Sequence, residues 1–142
     1  FVRVPFNDIK SIKNKASKYN SIVAILVESI QGEGGIVIPD ENYLSDLRKI
    51  CDDNNWLLMV DEVQSGMCRT GKWFAYQHSP IVPDVITIAK ALGNGVPIGA
   101  CLAKGQASEI LTPGTHGSTF GGNFLSTSVA LKVLDIMRDK YI

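Results

Sequence analysis

Residues 56–62 have the sequence Trp-Leu-Leu-Met-Val-Asp-Glu, and residues 85–90 have the sequence Val-Ile-Thr-Ile-Ala-Lys. Each stretch is a short apolar run that ends on a charged residue, Asp61 in the first and Lys90 in the second. Short apolar runs between turn signals are typical of strands that are buried on both faces, as in parallel sheets. The two stretches therefore predict strands over 56–60 and 85–89 that deliver both charges to one end of a sheet.

The rest of the chain alternates similar apolar runs with segments of helical periodicity, which is typical of βαβ units. We predict two further strands over 22–27 and 98–103. Three helices are predicted: residues 8–18 capped by Asn7, a helix capped by Asp40 and ended by 53–55, and residues 124–140 with Leu125, Val129, Val133 and Ile136 facing inward. The predicted fold class is α/β, a three-layer α/β/α sandwich around a parallel sheet.

Composition and charge exclude several classes of function. The 142-residue chain carries 14 Lys and Arg against 14 Asp and Glu, and 45% of its residues are hydrophobic. A chain without net charge has no basic field to attract nucleic acid or anionic lipid, so we expect neither as a partner. No apolar run approaches the roughly 20 residues that span a bilayer, and no leader pattern is visible. We therefore expect a single soluble globular unit.

The three cysteines are an odd number without metal-ligand spacing, and the two histidines also lack partners at such spacing. This pattern predicts no metal site and no disulfide framework, and it favours a reducing cytoplasm. The sequence begins with Phe1 and has no turn signal after its last helical pattern. We interpret residues 1–142 as a piece of a longer protein.

Asp61 and Lys90 have two interpretations. Because a buried lone charge is costly, they could form a structural ion pair. Alternatively, Lys90 could be an amine that forms a Schiff base, with Asp61 holding a protonated ring nitrogen, which is the pairing that pyridoxal phosphate (PLP) requires.

The glycine-rich stretch 114–123 precedes the last predicted helix, where hydroxyls and free backbone N–H groups could cradle a phosphate. It could equally be a flexible connector. Glu28 and Glu33 could form a second polar wall of the same crevice, or they could simply be solvated.

Four motifs occur in series: Glu-Ser-Ile-Gln-Gly-Glu-Gly-Gly at 28–35, Val-Asp-Glu-Val-Gln-Ser-Gly at 60–66 with Arg-Thr-Gly at 69–71, Ala-Lys-Ala-Leu-Gly-Asn-Gly at 89–95, and His-Gly-Ser-Thr-Phe-Gly-Gly-Asn at 116–123. In order and spacing, over nearly the whole chain, they resemble the class-III (ornithine-type) PLP-dependent aminotransferases. The resemblance implies that residues 1–142 are the central part of the PLP-binding large domain of a fold-type-I transferase. The upstream region and the small domain would lie outside it.

The resemblance also implies roles for individual residues. Lys90 would be the Schiff-base lysine and the proton shuttle, and Asp61 would pair with the pyridine nitrogen. Gln64 would contact the phenolic oxygen of the cofactor, and Glu62 and Val63 would form the rest of that wall.

Three more residues acquire roles from the resemblance. Thr119 would bind the phosphate of the cofactor that the other subunit holds, which implies a homodimer with a shared site. Ser118 would lie near the substrate, and Glu33 would screen an arginine that binds substrate. Ser29 and Phe124 replace residues that are usually Pro in the family, and Cys68 stands where Gly is common. These departures affect only local loop shape.

Residues 97–103 and the run around Lys90 most resemble family members that act on N-acetylornithine. The implied reaction moves its δ-amino group to the cofactor and then to 2-oxoglutarate, in arginine biosynthesis. Ornithine, succinylornithine and 4-aminobutyrate are alternative amino donors. A rival hypothesis from another class is a non-catalytic fragment or interaction domain in which Asp61 and Lys90 only form an ion pair.

Overall fold

The computed structural model describes residues 1–141 and has an α/β architecture, which confirms the predicted fold class. Its elements in chain order are α1 (Ile9–Lys18), β1 (Ala24–Glu28), α2 (Tyr43–Asn54), β2 (Leu57–Asp61), β3 (Val85–Ile88), β4 (Ala100–Ala103) and α3 (Phe124–Tyr141). Short 3₁₀ turns occupy Ala75–His78, Lys90–Leu92 and Gly105–Glu109. Within residues 1–141, none of the helices has the length and apolar character needed to cross a membrane.

The four strands form one sheet in the order β1-β2-β3-β4. β1, β2 and β3 are parallel, whereas β4 is antiparallel to β3. The prediction of a parallel sheet is therefore wrong for β4. The connection between β3 and β4, residues 89–99, is shorter than the dozen or so residues that a parallel crossover needs, so the chain returns antiparallel.

β1 lies at one edge of the sheet, and its burial differs from the prediction. Leu26 remains 60% exposed, although Val27 on the opposite face is buried. The expectation of a strand buried on both faces is thus wrong for β1, because no element within residues 1–141 covers the face that carries Leu26.

α1 and α2 pack on β1 and β2 to form the larger of two core clusters. Leu47, Cys51, Leu58 and Val60 are among its most deeply buried members. Burial of each large aliphatic side chain stabilises the fold by roughly 1.5–3 kcal/mol. An ion pair between Arg48 Nη1 and Asp84 Oδ2, 2.7 Å apart, links α2 to the residue before β3.

The first residues of α1 and α2 differ from the prediction. Asp8, not Asn7, caps α1, because its Oδ1 accepts a hydrogen bond from Ser11 N at 2.9 Å. Asn7 has a φ of 63°, outside the helical region. The predicted cap Asp40 is also wrong. It offers only its backbone oxygen to Tyr43 N, and α2 begins after Asn42.

α3 packs with β3 and the Lys90–Leu92 turn in the second cluster, through a face that includes the predicted Val133 but is otherwise rotated from the predicted one. Its inward residues are Ser126, Ala130, Val133 and Met137. Leu125 and Ile136 are 69% and 41% exposed, so their predicted inward positions are wrong. The rotation is set at the first turn, where the Ser126 hydroxyl donates to Pro97 O at 3.0 Å. Asn123 caps the helix by accepting from Ser126 N at 3.0 Å.

The cysteines within the described residues are free, and one is deeply buried. Cys51 is fully inaccessible, and burial raises the pKa of its thiol to about 12. Only thiolates are alkylated at a useful rate, and at pH 8 a thiol with that pKa is ionised in about one molecule in 10⁴.

We therefore expect iodoacetamide at pH 8 to leave Cys51 unmodified in the native protein and to modify it in urea. Peptide mass spectrometry checks this, and equal rates in both conditions would contradict it.

Candidate active site at the carboxyl ends of β2 and β3

Asp61 and Lys90 lie at the same end of the sheet, as the sequence predicts. Asp61 is the last residue of β2 and is in register with Thr87 of β3. Lys90 begins the 3₁₀ turn that follows β3. Its φ of 39° is in the left-handed region, which costs a residue with a side chain roughly 1–2 kcal/mol. Such backbone strain is concentrated at functional sites.

The amine of Lys90 does not pair with Asp61. Its Nζ donates a hydrogen bond to Gln64 Oε1. Among residues 1–141, no ion pair within 4.0 Å involves either Lys90 or Asp61. The structural ion pair that the sequence left open as an alternative is therefore absent, and the lysine side chain is exposed.

Asp61 is half-buried and retains capacity to accept a hydrogen bond. Its Oδ1 accepts from Val63 N at 2.9 Å, and no partner is recorded for Oδ2 within the described chain. Its neighbour Thr87 has a buried Oγ1 that also lacks a hydrogen-bond partner among the described residues. Sequence reasoning missed Thr87, although it is the only polar residue in β3. Buried polar atoms without a hydrogen-bond partner are uncommon, and they indicate that a bound group supplies the missing partner.

The loop that follows β1 packs against the side chain of Gln64. A Cβ on Gly32 would overlap Gln64 Cγ and lie 3.0 Å from Gln64 Cβ. The Gly32 backbone is itself fixed, since its N–H donates to Glu28 Oε2 at 2.9 Å. Glu28 thus closes its own loop, and Gly32 supplies the space that Gln64 occupies.

Glu62 points into the protein interior and is only 1% exposed. Its Oε1 accepts from the Ser29 hydroxyl at 2.6 Å and from Tyr76 N at 2.8 Å. Its Oε2 accepts from the Ser65 hydroxyl at 2.7 Å and from Ala75 N at 3.0 Å. Burial, and then the charge of Glu62, raise the pKa of the Tyr76 hydroxyl. The carboxylate is fully occupied, so Glu62 could contribute to the predicted cofactor wall only through its backbone.

Glu33, Ser118 and Thr119 are also predicted to be site residues, and their roles stay predictions. Glu33, Ser118 and Thr119 are all exposed, and no hydrogen bond within residues 1–141 joins them to Lys90 or Asp61. Ser118 accepts from Gly121 N at 3.1 Å through its backbone oxygen. The role predicted for Thr119 needs a second subunit, so it stays a prediction.

An open cleft of about 440 Å³ lies against Lys90 and is lined by Gly95, Val96, Pro97 and Ile98. The cleft thus places an apolar wall beside the exposed amine, whereas Asp61 and Gln64 are not part of its lining. Within the described residues, no group of three or more His, Cys, Asp or Glu side chains is arranged to hold a metal ion.

Comparison with known proteins identifies relatives over nearly the whole chain. Residues 4–142 match the family model of the class-III aminotransferases. The chain is 58% identical to the acetylornithine aminotransferase of Nitrosomonas europaea over 140 residues, which is 99% of this chain but 36% of that protein. The chain thus spans only about a third of the length of that relative.

Solved structures give the same result. The acetylornithine aminotransferase of Elizabethkingia anophelis matches with a TM-score of 0.92 and 43% identity, over 99% of this chain and 35% of that one. An ornithine aminotransferase structure from Toxoplasma gondii, in which PLP partially occupies the active site, matches with a TM-score of 0.89 and 40% identity, over 96% and 32% of the two chains.

Proposed function

The chain belongs to the class-III aminotransferase family, and from that premise we propose that it forms the lysine-bearing part of a PLP-dependent aminotransferase. Residues 1–142 would be the central segment of the PLP-binding large domain, and the remainder of the complete protein would supply the upstream region and the small domain. The observation that carries this proposal is the exposed amine of Lys90, held by Gln64 at the sheet end where Asp61 keeps an oxygen available.

The residues present fit PLP. The cofactor needs an amine for its aldehyde, an acceptor for its protonated ring nitrogen and an apolar surface for its ring. Lys90 offers the amine and Asp61 the acceptor, and the cleft beside Val96 and Ile98 offers an apolar surface next to the amine. The unpartnered Thr87 hydroxyl beside Asp61 also fits a site that a bound group completes.

Each side chain would act through a stated atom. Asp61 Oδ2 would accept the N–H of the ring nitrogen, and the negative charge would keep that nitrogen protonated. Lys90 Nζ would hold the cofactor through its aldehyde group, with loss of water, and as a free amine it would be placed to take and return the proton of the substrate. Gln64 can offer its amide N–H groups to the phenolic oxygen while its Oε1 accepts from Lys90. When bound, PLP supplies an electron sink for the carbanion that this proton transfer leaves.

For the substrate, we propose transfer of the δ-amino group of N-acetylornithine to 2-oxoglutarate, as in arginine biosynthesis. The support is the identity with acetylornithine aminotransferases, 58% in Nitrosomonas europaea and 43% in Elizabethkingia anophelis. Glu33 and Ser118 would face the substrate. Ornithine is the second candidate, because the Toxoplasma gondii ornithine aminotransferase matches with 40% identity. Succinylornithine and 4-aminobutyrate are further donors of the same chemical class.

We also propose a homodimer in the cytoplasm, in which Thr119 contacts the cofactor phosphate of the partner subunit. The exposure of this segment supports the proposal, since Phe120 and Phe124 are 79% and 90% exposed on either side of the glycine pair. The free cysteines fit a reducing compartment.

Cofactor trapping tests the proposed function. We expect the complete protein that contains this chain, mixed with PLP, to develop a visible absorbance band. After borohydride reduction, peptide mapping should find the label on Lys90. Lys72 is an exposed lysine in the same chain and serves as the internal control, because its amine donates to Gln77 O in the 3₁₀ turn Ala75–His78. A complete protein without a band, or a label on another lysine, would favour the non-catalytic hypothesis.

A further inference from the structure

The buried Glu62 carboxylate gathers donors from three separate parts of the chain. Ser29 lies directly after β1, Ser65 lies in the turn after β2, and Ala75 and Tyr76 begin a 3₁₀ turn. Each carboxylate oxygen accepts one hydroxyl and one backbone N–H. A buried charge without such partners would cost several kcal/mol, so the arrangement constrains all three segments together.

Gln64 lies in the middle of the turn that Glu62 closes. The Ser65 hydroxyl donates to Glu62 Oε2 at 2.7 Å, and Gly66 N donates to Glu62 O at 2.9 Å. These hydrogen bonds fix the turn that carries Gln64 and so set the position from which its exposed side chain reaches Lys90. On the other side, the Gln64 side chain packs closely on Gly32, where a Cβ would overlap Gln64 Cγ.

Ser29 connects these two restraints. It is 3% exposed and follows Glu28, the residue that fixes the Gly32 backbone, and its hydroxyl donates to Glu62 at 2.6 Å. A proline, which the family resemblance leads us to expect at this position, has no hydroxyl to donate. This hydrogen bond therefore depends on the serine at position 29.

We propose that Glu62 is a positioning residue: held by Ser29, it keeps Gln64 against the amine of Lys90. The placement itself stands on the hydrogen bonds described above, and its consequence for PLP binding rests on the proposed function.

A labelling experiment on the cofactor-free complete protein tests the placement. The rate of reductive methylation of Lys90 is measured by mass spectrometry in the wild type, Ser29→Ala, Gln64→Ala and the double variant. Since a single hydrogen bond contributes a factor of roughly 2–10 to an equilibrium, we expect each single variant to raise the Lys90 rate about threefold or more. The double variant should be no faster than Gln64→Ala, because both changes release the same amine.

Two controls separate positioning from general destabilisation. Ser11→Ala removes a hydroxyl-to-carboxylate bond of the same 2.6 Å length, to Asp8 that caps α1, and should leave the Lys90 rate unchanged. The rate at Lys13 on α1 should stay constant in every variant. Should Ser29→Ala fail to fold, Ser65→Ala takes its place, because it removes the matching donor from Oε2. An unchanged Lys90 rate, or effects of the two changes that multiply in the double variant, would overturn the proposal.

PLP affinity provides the second readout. We expect Ser29→Ala to weaken PLP binding about tenfold in the wild-type background and less than about twofold in the Gln64→Ala background. Equal weakening in both backgrounds would mean that Ser29 acts only on stability, and would overturn the positioning role. A wild-type protein that binds no PLP would instead overturn the proposed function, while the labelling cycle still decides the placement of Gln64.

Discussion

Replacement of Lys90 by alanine should abolish transamination in the complete protein and leave the fold intact. Lys90 is the amine that would bond the cofactor and move the proton, so we expect kcat to fall by about 10⁴-fold or more. Its side chain is exposed, and its recorded hydrogen bond, to Gln64, joins no part of the core. Turnover of N-acetylornithine with 2-oxoglutarate measures the loss, and circular dichroism measures the fold.

Lys13→Ala is the matched control for that experiment. Lys13 is an exposed lysine on α1, and no hydrogen bond or ion pair within residues 1–141 joins it to Lys90 or Asp61. We expect its removal to leave kcat within about twofold of the wild type, since isolated surface charges contribute little. If the Lys90→Ala variant retained turnover, the catalytic role proposed for Lys90 would be wrong.

The second large effect is expected from Gly93→Ala. Gly93 is buried in the turn that follows Lys90, and Gly93 O accepts from Val96 N at 2.9 Å. A Cβ there would overlap Val96 O and lie 2.7 Å from Ile98 Cγ2. The backbone of Val96 would have to shift to make room for the Cβ, which disrupts the turn. We therefore expect the free energy of unfolding to fall by about 3 kcal/mol. Urea denaturation followed by circular dichroism measures the change.

Gly34→Ala provides the comparison, because a Cβ at Gly34 would meet no atom within 4 Å. Its φ also lies outside the range that favours glycine, so the substitution should change stability by less than about 0.5 kcal/mol. If both substitutions lowered the free energy of unfolding by the same amount, crowding by Val96 and Ile98 would not be the reason that position 93 requires glycine. We also expect Gly93→Ala to weaken PLP binding, since Val96 and Ile98 line the cleft beside Lys90.

The sequence could predict the sheet end that carries the site because two apolar runs stop on charged residues. The pattern predicts two neighbouring strands that end at the same edge of the sheet. Asp61 and Lys90 lie at that edge. The α/β fold class follows from the same alternation of short and periodic segments. These features depend on local periodicity, which single sequences carry well.

Other features depend on packing between distant residues, which local patterns do not specify. The face of α3 differs from the prediction because Leu125 and Ser126 both belong to plausible helical stripes, and the contact of Ser126 with Pro97 decides between them. The partner of Lys90 is Gln64 because the backbone after β3 turns through a left-handed residue. The burial of Glu62 requires donors from Ser29 and residues 75–76, which no spacing rule would assemble.

The exposed edge of β1 has a practical consequence for protein production. β1 has a strand neighbour only in β2 within residues 1–141, and Leu26 and Val23 are 60% and 73% exposed. An open strand edge with apolar side chains is a template for pairing with another molecule. Expressed alone, residues 1–142 should therefore form insoluble aggregates at high concentration, and lysine substitutions at Val23 and Leu26 should raise the soluble yield.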